Sequence, residues 1–355
     1  MHTGDAINSG ILSALVAAIL FGASMPVAKI LTGHMPPVLL AGLLYLGSGI
    51  GLLILFGLRR RLSKRDAPAA ALSLRDMGWL GAATVFGGVI GPVLLMTGLA
   101  STPASTASLL LNLEGVFTAL LAWIVFKENT DRRIVLGMLL ILTAGVLLAW
   151  PGSWSFTGMA GVLMIIGACA GWALDNNLTR KVAAHDALFI AGIKGLVAGC
   201  VTTGIALAQG ASLPGFGSVA LAAGVGFAGY GVSLALFVVA LRHVGAARTG
   251  AYFSLAPFIG AGASLILLHE EHGGLFWPAA GLMAVGLWLH LSERHQHDHV
   301  HTELAHHHGH VHDEHHQHTH DFPWTGAEPH THFHVHTPLR HSHPHYPDIH
   351  HRHRH

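Results

Sequence analysis

Charge is what this chain has least of. Only 10% of its 355 residues are Asp, Glu, Lys or Arg, where a soluble protein carries roughly 25%. Set against 52% hydrophobic residues and a mean hydropathy of +0.52, that shortage excludes a water-soluble globular domain and implies an integral membrane protein. Cysteine is nearly absent. Cys169 and Cys200 both lie in apolar segments, so buried, inert thiols are expected and no disulfide framework is implied. No G-x-x-x-x-G-K-[ST] run occurs, which removes a built-in ATP-binding loop. H-E-x-x-H and G-x-S-x-G are missing too, which argues against an intramembrane zinc or serine enzyme. No Lys or Arg precedes the first apolar segment, and many more such segments follow. It therefore reads as a first membrane span and not as a cleaved leader.

What is present is a series of long apolar runs. A spanning helix needs about 20 apolar residues. On that rule ten spans are expected, at roughly 10–32, 37–58, 77–98, 103–126, 132–150, 157–179, 187–208, 217–240, 246–268 and 274–292. The basic residues segregate between the connections. Arg59, Arg60, Arg61, Lys64, Arg65 and Arg75 lie between spans 2 and 3, and Lys127, Arg132 and Arg133 between 4 and 5. Arg180 and Lys181 follow span 6, and Arg242 and Arg248 flank the turn between 8 and 9. With ten alternating spans all of these face one side, and the opposite connections carry none. The positive-inside rule then predicts cytoplasmic amino and carboxyl termini, in a plasma (bacterial inner) membrane.

The fourth span shows its design most plainly. Ser101, Ser105, Ser108, Asn112, Gly115, Ala119 and Ala122 recur at steps of 4, 3, 4, 3, 4 and 3. On a helix this is one face of small residues, suited to close packing in lipid. The pattern returns 142 positions later in His243, Ala247, Gly250, Ser254, Pro257, Ala261 and Ser264. A full face held at one offset predicts an internal repeat. Five spans per half is an odd number, so two similar halves must face opposite ways. Secondary transporters use that inverted repeat, with the substrate site near the midplane between the halves.

Over residues 10–292 the chain resembles the EamA family of the drug/metabolite transporter superfamily. The resemblance rests on FGASMPVAKI (Phe21 to Ile30), on GWALDNNLTRK (Gly171 to Lys181), and on the apolar run ending in Lys127-Glu128. It also rests on the glycine-rich third helix of each half, where Gly87 matches Gly229 at the same offset of 142. It implies an all-α, ten-helix carrier built from two inverted five-helix repeats, 10–150 and 157–292, behind a short amino-terminal segment of residues 1–9. Such a carrier moves small metabolites, amino acids or drug-like compounds by alternating access, as an exporter. The resemblance does not name the substrate.

Charge inside a membrane faces the protein interior or an aqueous cavity. Glu114 lies mid-way along span 4, where its carboxyl group can serve as a proton carrier or as a buried acid bonded to a neighbouring helix. Asp175, in span 6, and Lys194, in span 7, sit at similar depth and can form a structural ion pair, a gate or half of a zwitterion site. Asn112 and Asn176 add hydrogen-bonding groups, and Asn177 follows. Trp172, Tyr230 and Tyr252 are candidate cavity aromatics. Lys29 is expected to snorkel to the outer interface. Gly87, Gly88, Gly91 and Pro92, and Gly224, Gly226, Gly229 and Gly231, are expected to bend or break their helices. His269, Glu270, Glu271 and His272 form a compact outer cluster, either a metal mouth or a solvated helix end.

The last 63 residues hold 24 of the 31 histidines. His295, His297, His299 and His301 alternate with polar or small residues. His306, His307, His308, His310, His312, His315, His316, His318 and His320 follow in a second run, and HTHFHVH (His330 to His336) in a third. With no apolar core available, residues 293–355 are expected to be disordered. Imidazole with few carboxylates and no thiolate suits Ni, Zn, Co or Cu(II). The expectations are thus a non-enzymatic carrier that needs no cofactor, meets lipid and a small-molecule substrate but no nucleic acid, and is a monomer or homodimer. The alternatives are a divalent-metal transporter with the tail as antenna, and a membrane-anchored metal buffer or sensor.

Overall fold

The computed structural model describes residues 3–62, 74–125, 132–150, 156–179, 186–291, 296–301, 304–310, 330–336 and 339–344. Lys64, Arg65, Lys127, Glu128, Arg180 and Lys181 lie outside the described residues. The chain divides into two units, Met1–Ser292 and Glu293–His355.

Helices make up the first unit. Its first half holds α1 (Thr3–Thr32), α2 (Pro37–Leu62), α3 (Leu74–Ala83), α4 (Gly91–Ser101), α5 (Ala104–Leu110), α6 (Leu113–Ile124) and α7 (Arg132–Ala149). The second holds α8 (Phe156–Thr179), α9 (Ala187–Ala208), α10 (Phe216–Val225), α11 (Ser233–Phe253), α12 (Ala256–Leu268) and α13 (Phe276–Leu291). A π-helical segment, Thr84–Ile90, joins α3 to α4, and a second, Gly226–Val232, joins α10 to α11. The two π segments begin and end 142 residues apart. The expected bends at these glycines are therefore widened helical turns, and they sit at the offset of the sequence repeat.

Among the described residues nine helical stretches are long and apolar enough to cross a membrane, one fewer than expected. The described part of the tenth, α13, has 16 residues, or about 24 Å at 1.5 Å per residue, against the roughly 30 Å of a hydrocarbon core. The connections also differ between the halves. Thr102 is extended (φ −115°, ψ 141°) and ends α4, because the following Pro103 disfavours the helical conformation in the residue before it. The second half has no proline at this point (Arg-His-Val-Gly-Ala-Ala-Arg, residues 242–248). There the backbone stays helical through the predicted turn, and α11 runs unbroken from Ser233 to Phe253.

The small-residue face of span 4 is not one continuous stripe. Leu111 and Asn112 form a turn between α5 and α6. Ser105 and Ser108 are buried on α5, which packs on α12. Gly115, beyond the turn, faces open space. The first part of the one stretch, on α5, thus packs on the last part of the other, on α12. The most extensive seam joins α2 and α9. A Cβ placed on Gly195 would lie 2.9 Å from Gly49 Cα and 3.0 Å from Gly49 N, so only glycine allows this approach.

Where the sequence predicts no regular structure, the described residues of the second unit pair as short strands. β1 (Gln296–His301) is antiparallel to β4 (Leu339–Pro344), and β2 (Leu304–His310) to β3 (His330–His336). Imidazoles alternating with other residues fit the two-residue period of a strand, though an isolated two-stranded pair is marginal in water. His295, His312, His315, His316, His318 and His320 lie outside the described residues.

Candidate functional site

The site grows from one backbone carbonyl. In the first π segment the Gly91 N–H donates to Phe86 O instead of to Gly87 O, its partner in a regular α-helix. The next N in line belongs to Pro92, which has no N–H to give. Gly87 O is thereby left without a helical donor. It accepts instead from Trp172 Nε1 at 2.9 Å and from Tyr45 Oη at 3.0 Å. A carbonyl at membrane depth must find such partners, since lipid offers none. Trp172 on α8 and Tyr45 on α2 are pinned side by side as a result.

Around this anchor the structure gathers most of the charged and amide candidates. Lys194 donates to Asp175 Oδ1 in an ion pair and to Thr179 Oγ1 at 3.2 Å; Thr179 also donates to Asp175 at 2.8 Å. The Asp175 carboxylate lies against Gly87, in space that any Cβ there would occupy. Glu114 stands in the first turn of α6, just past the Leu111–Asn112 turn. It accepts from Asn176 Nδ2 at 2.9 Å, with Thr118 Oγ1 3.4 Å from the same nitrogen. Glu114 and Asp175 lie within electrostatic reach of each other and of Tyr45.

Tyr230, from the second π segment, closes an aromatic wall. Its ring centroid is 5.6 Å from Phe21 and 5.9 Å from Tyr45, and Phe21 is 5.7 Å from Phe253. Helices of both halves supply these rings. Tyr252 is half-buried and contributes no ring contact among the described residues. Tyr45, Phe21 and Phe253 were not singled out by the sequence. Tyr45 carried a signal, being one of only four tyrosines and lying in the middle of an apolar span.

Other candidates have structural duties. Asn112 is buried, donates to Leu109 O at 2.9 Å and lies 3.8 Å from Met283 Sδ; it caps the break in span 4 and does not reach Glu114. Lys29 has specific partners at the outer end of its neighbour helix. It donates to Leu99 O at 2.6 Å, Ala100 O at 3.2 Å and Thr102 O at 2.9 Å, the open carbonyls at the end of α4. The outer His269–His272 cluster is dispersed. His269 is the left-handed cap of α12 (φ 48°), Glu270 binds the start of α5, and His272 stacks on Phe276 at 5.2 Å. No group of three His, Cys, Asp or Glu suited to a metal occurs among the described residues.

The comparisons with known proteins agree with this architecture. The model of the EamA-like transporter family matches residues 8–150 and again 159–292. The chain is 31% identical over 293 residues to an "Uncharacterized transporter" of Methanothermobacter thermautotrophicus, covering 79% of this chain and 85% of that one. It is 28% identical over 182 residues to a "Probable amino-acid metabolite efflux pump" of Salmonella typhimurium, covering 49% and 54% of the two chains. A solved crystal structure of 19% identity superposes with a TM-score of 0.57 over 78% of this chain and 95% of that one, which bears on the fold alone. Two family matches, one per half, on a bundle of membrane-spanning helices place the chain in the EamA-like transporter family, as a multi-pass membrane protein.

Proposed function

We propose that the protein is a secondary carrier that exports small metabolites or amino-acid-like compounds by alternating access between two inverted halves. One observation carries this. Both halves widen their third span at the same repeat position, and the two widened segments meet around one polar and aromatic cluster. Irregular backbone at membrane depth is tolerated where it lines a protein cavity, and carriers place their sites at such discontinuities. The relatives named as efflux pumps support export of amino-acid metabolites. Energy comes from an ion or substrate gradient, and the membrane is the plasma membrane with both termini cytoplasmic. The His-rich tail binds Ni, Zn, Co or Cu in an accessory role. The metal-carrier alternative gains no observation from the bundle, where the described residues assemble no metal-sized ligand group.

The test is transport by the purified full-length chain in liposomes loaded with a mixture of amino acids and biogenic amines. Expected is time-dependent loss of a subset of compounds beyond protein-free liposomes, under an imposed proton or sodium gradient. No loss of any compound under either gradient would refute the carrier reading.

A further inference from the structure

Most charges inside the bundle are answered by the protein itself. Lys29 is engaged by three carbonyls, and Glu270 by two amides and a hydroxyl. Lys194 and Asp175 hold each other, with Thr179 bonded to both. Glu114 differs. Among the described residues its carboxylate accepts one hydrogen bond, from a neutral amide, and meets no cation. An ionised carboxylate offers about four acceptor positions. Acceptor capacity and one negative charge are therefore left over. The adjoining Gly115 faces open space, and Asn176 is exposed, so the spare capacity is reachable.

The rest of the site has no complementary cation to spare. A zwitterionic amino acid needs a positive partner for its own carboxylate, and the lysine at this depth is already paired. What the site does offer is a cluster of partly buried aromatic rings: Trp172, Tyr45, Tyr230, Phe21 and Phe253. Ring faces attract ammonium groups and pack apolar bodies; they offer nothing to an anion.

We propose that the central site selects small organic cations, amines with an aromatic or apolar body. Glu114 and the free oxygen of the Asn176 amide hold the ammonium, and the aromatic wall holds the body. Glu114 in this role presumes the carrier reading above and narrows it, from amino-acid-like compounds to monocationic amines.

Three probes that share one ring separate the possibilities: 2-phenylethylammonium (cation), phenylacetate (anion) and phenylalanine (zwitterion). Equilibrium binding of each to the purified full-length chain in detergent, read by tryptophan fluorescence and confirmed with radiolabelled probe, does not depend on transport. Expected is saturable binding of phenylethylammonium, at least about tenfold tighter than either of the others, as befits a hydrogen-bonded charge pair. In Glu114→Gln that preference should vanish, and in Glu114→Asp it should persist in weakened form. Equal or tighter binding of phenylacetate or phenylalanine by the native chain would overturn the proposal, whatever the variants do. So would binding of none of the three, or an undiminished preference in a folded Glu114→Gln. Binding as expected without transport in liposomes would support the site while removing the carrier reading.

Discussion

Replacing Glu270 by Ala should cost the folded bundle about 1–2.5 kcal/mol. Glu270 follows α12 in the second half, yet its carboxylate reaches the first residues of α5 in the first half. It accepts from Ala104 N at 2.6 Å, Ser105 N at 2.8 Å and Ser105 Oγ at 2.7 Å. Losing an N-terminal cap typically costs about 1 kcal/mol and at most about 2; a hydrogen bond to a charged group contributes about 1.5–3. These describe the same bonds and do not add, and the partial accessibility of Glu270 keeps the total from the upper end. Lys29 lies within electrostatic reach of Glu270, so its hold on the end of α4 loses a favourable charge as well. Glu270→Gln keeps one acceptor oxygen and should cost about 1 kcal/mol. The assay is unfolding of the native chain, Glu270→Ala, Ser105→Ala and the double variant in one mixed-detergent series. Ser105 and Glu270 should couple by about 1 kcal/mol, the double variant being less damaged than the sum of the singles. Additive effects, or a Glu270→Ala cost within about 0.5 kcal/mol of zero, would show that the trans-helix cap contributes nothing.

Further outcomes are expected in the same system. Lys194→Met should destabilise by about 3–5 kcal/mol, because it strands Asp175 in the bundle, whereas Lys194→Met with Asp175→Asn should recover most of that loss; unfolding midpoints check both, and a double variant no better than the single counts against the pair. Gly195→Ala puts a methyl group 2.9 Å from Gly49 Cα and should cost about 1–3 kcal/mol by prising α2 from α9; an unchanged unfolding midpoint would contradict so close an approach. A chain ending at Leu291 should keep the helical circular dichroism of the full protein and lose its stoichiometric Ni or Zn binding in equilibrium dialysis. Undiminished metal uptake by the shortened chain would move the metal site into the bundle.

The helical class and the repeat were legible because lipid imposes both in composition: long apolar runs, and small residues wherever helices approach closely. The offset of 142 found in the serine and glycine pattern reappears as the spacing of the two π segments. The nature of those bends was not legible. A glycine-rich stretch says that a helix can deform, and only the backbone bonding of Phe86, Gly87 and Gly91 shows that it widens. The turn at Leu111–Asn112 was missed because the 4–3 spacing runs through it without a proline or a change in composition. At residues 242–248 the error ran the other way, since a basic, less apolar stretch was expected to form a turn and no residue in it forces the helix to stop. The Asp175–Lys194 pair was foreseen as one option from depth alone, while Tyr45 was passed over because a lone tyrosine in an apolar span has no periodic partner.

Polar residues in these spans therefore divide by what they answer. Wherever a span is interrupted, it frees backbone groups that lipid cannot satisfy, and nearby polar side chains are recruited to them. Tyr45 and Trp172 bond the carbonyl orphaned by the π turn, Asn112 bonds the Leu109 carbonyl in the last turn of α5, Lys29 the end of α4, and Glu270 the start of α5. A sequence reading cannot tell such a residue from a substrate ligand, because both look like a lone polar group in an apolar run. The difference lies in what remains after the backbone has been served. Asn112, Lys29 and Glu270 have their charge or hydrogen-bonding capacity engaged by main-chain groups. Tyr45 and Trp172 give up only their polar tips, and their rings stay in the aromatic cluster beside Glu114 and Asp175. Glu114 serves no backbone group among the described residues, and its one partner, Asn176, is itself exposed. A half-buried acid that serves no backbone group is costly to keep in a membrane bundle, so the work that retains Glu114 is best sought in what passes through the site.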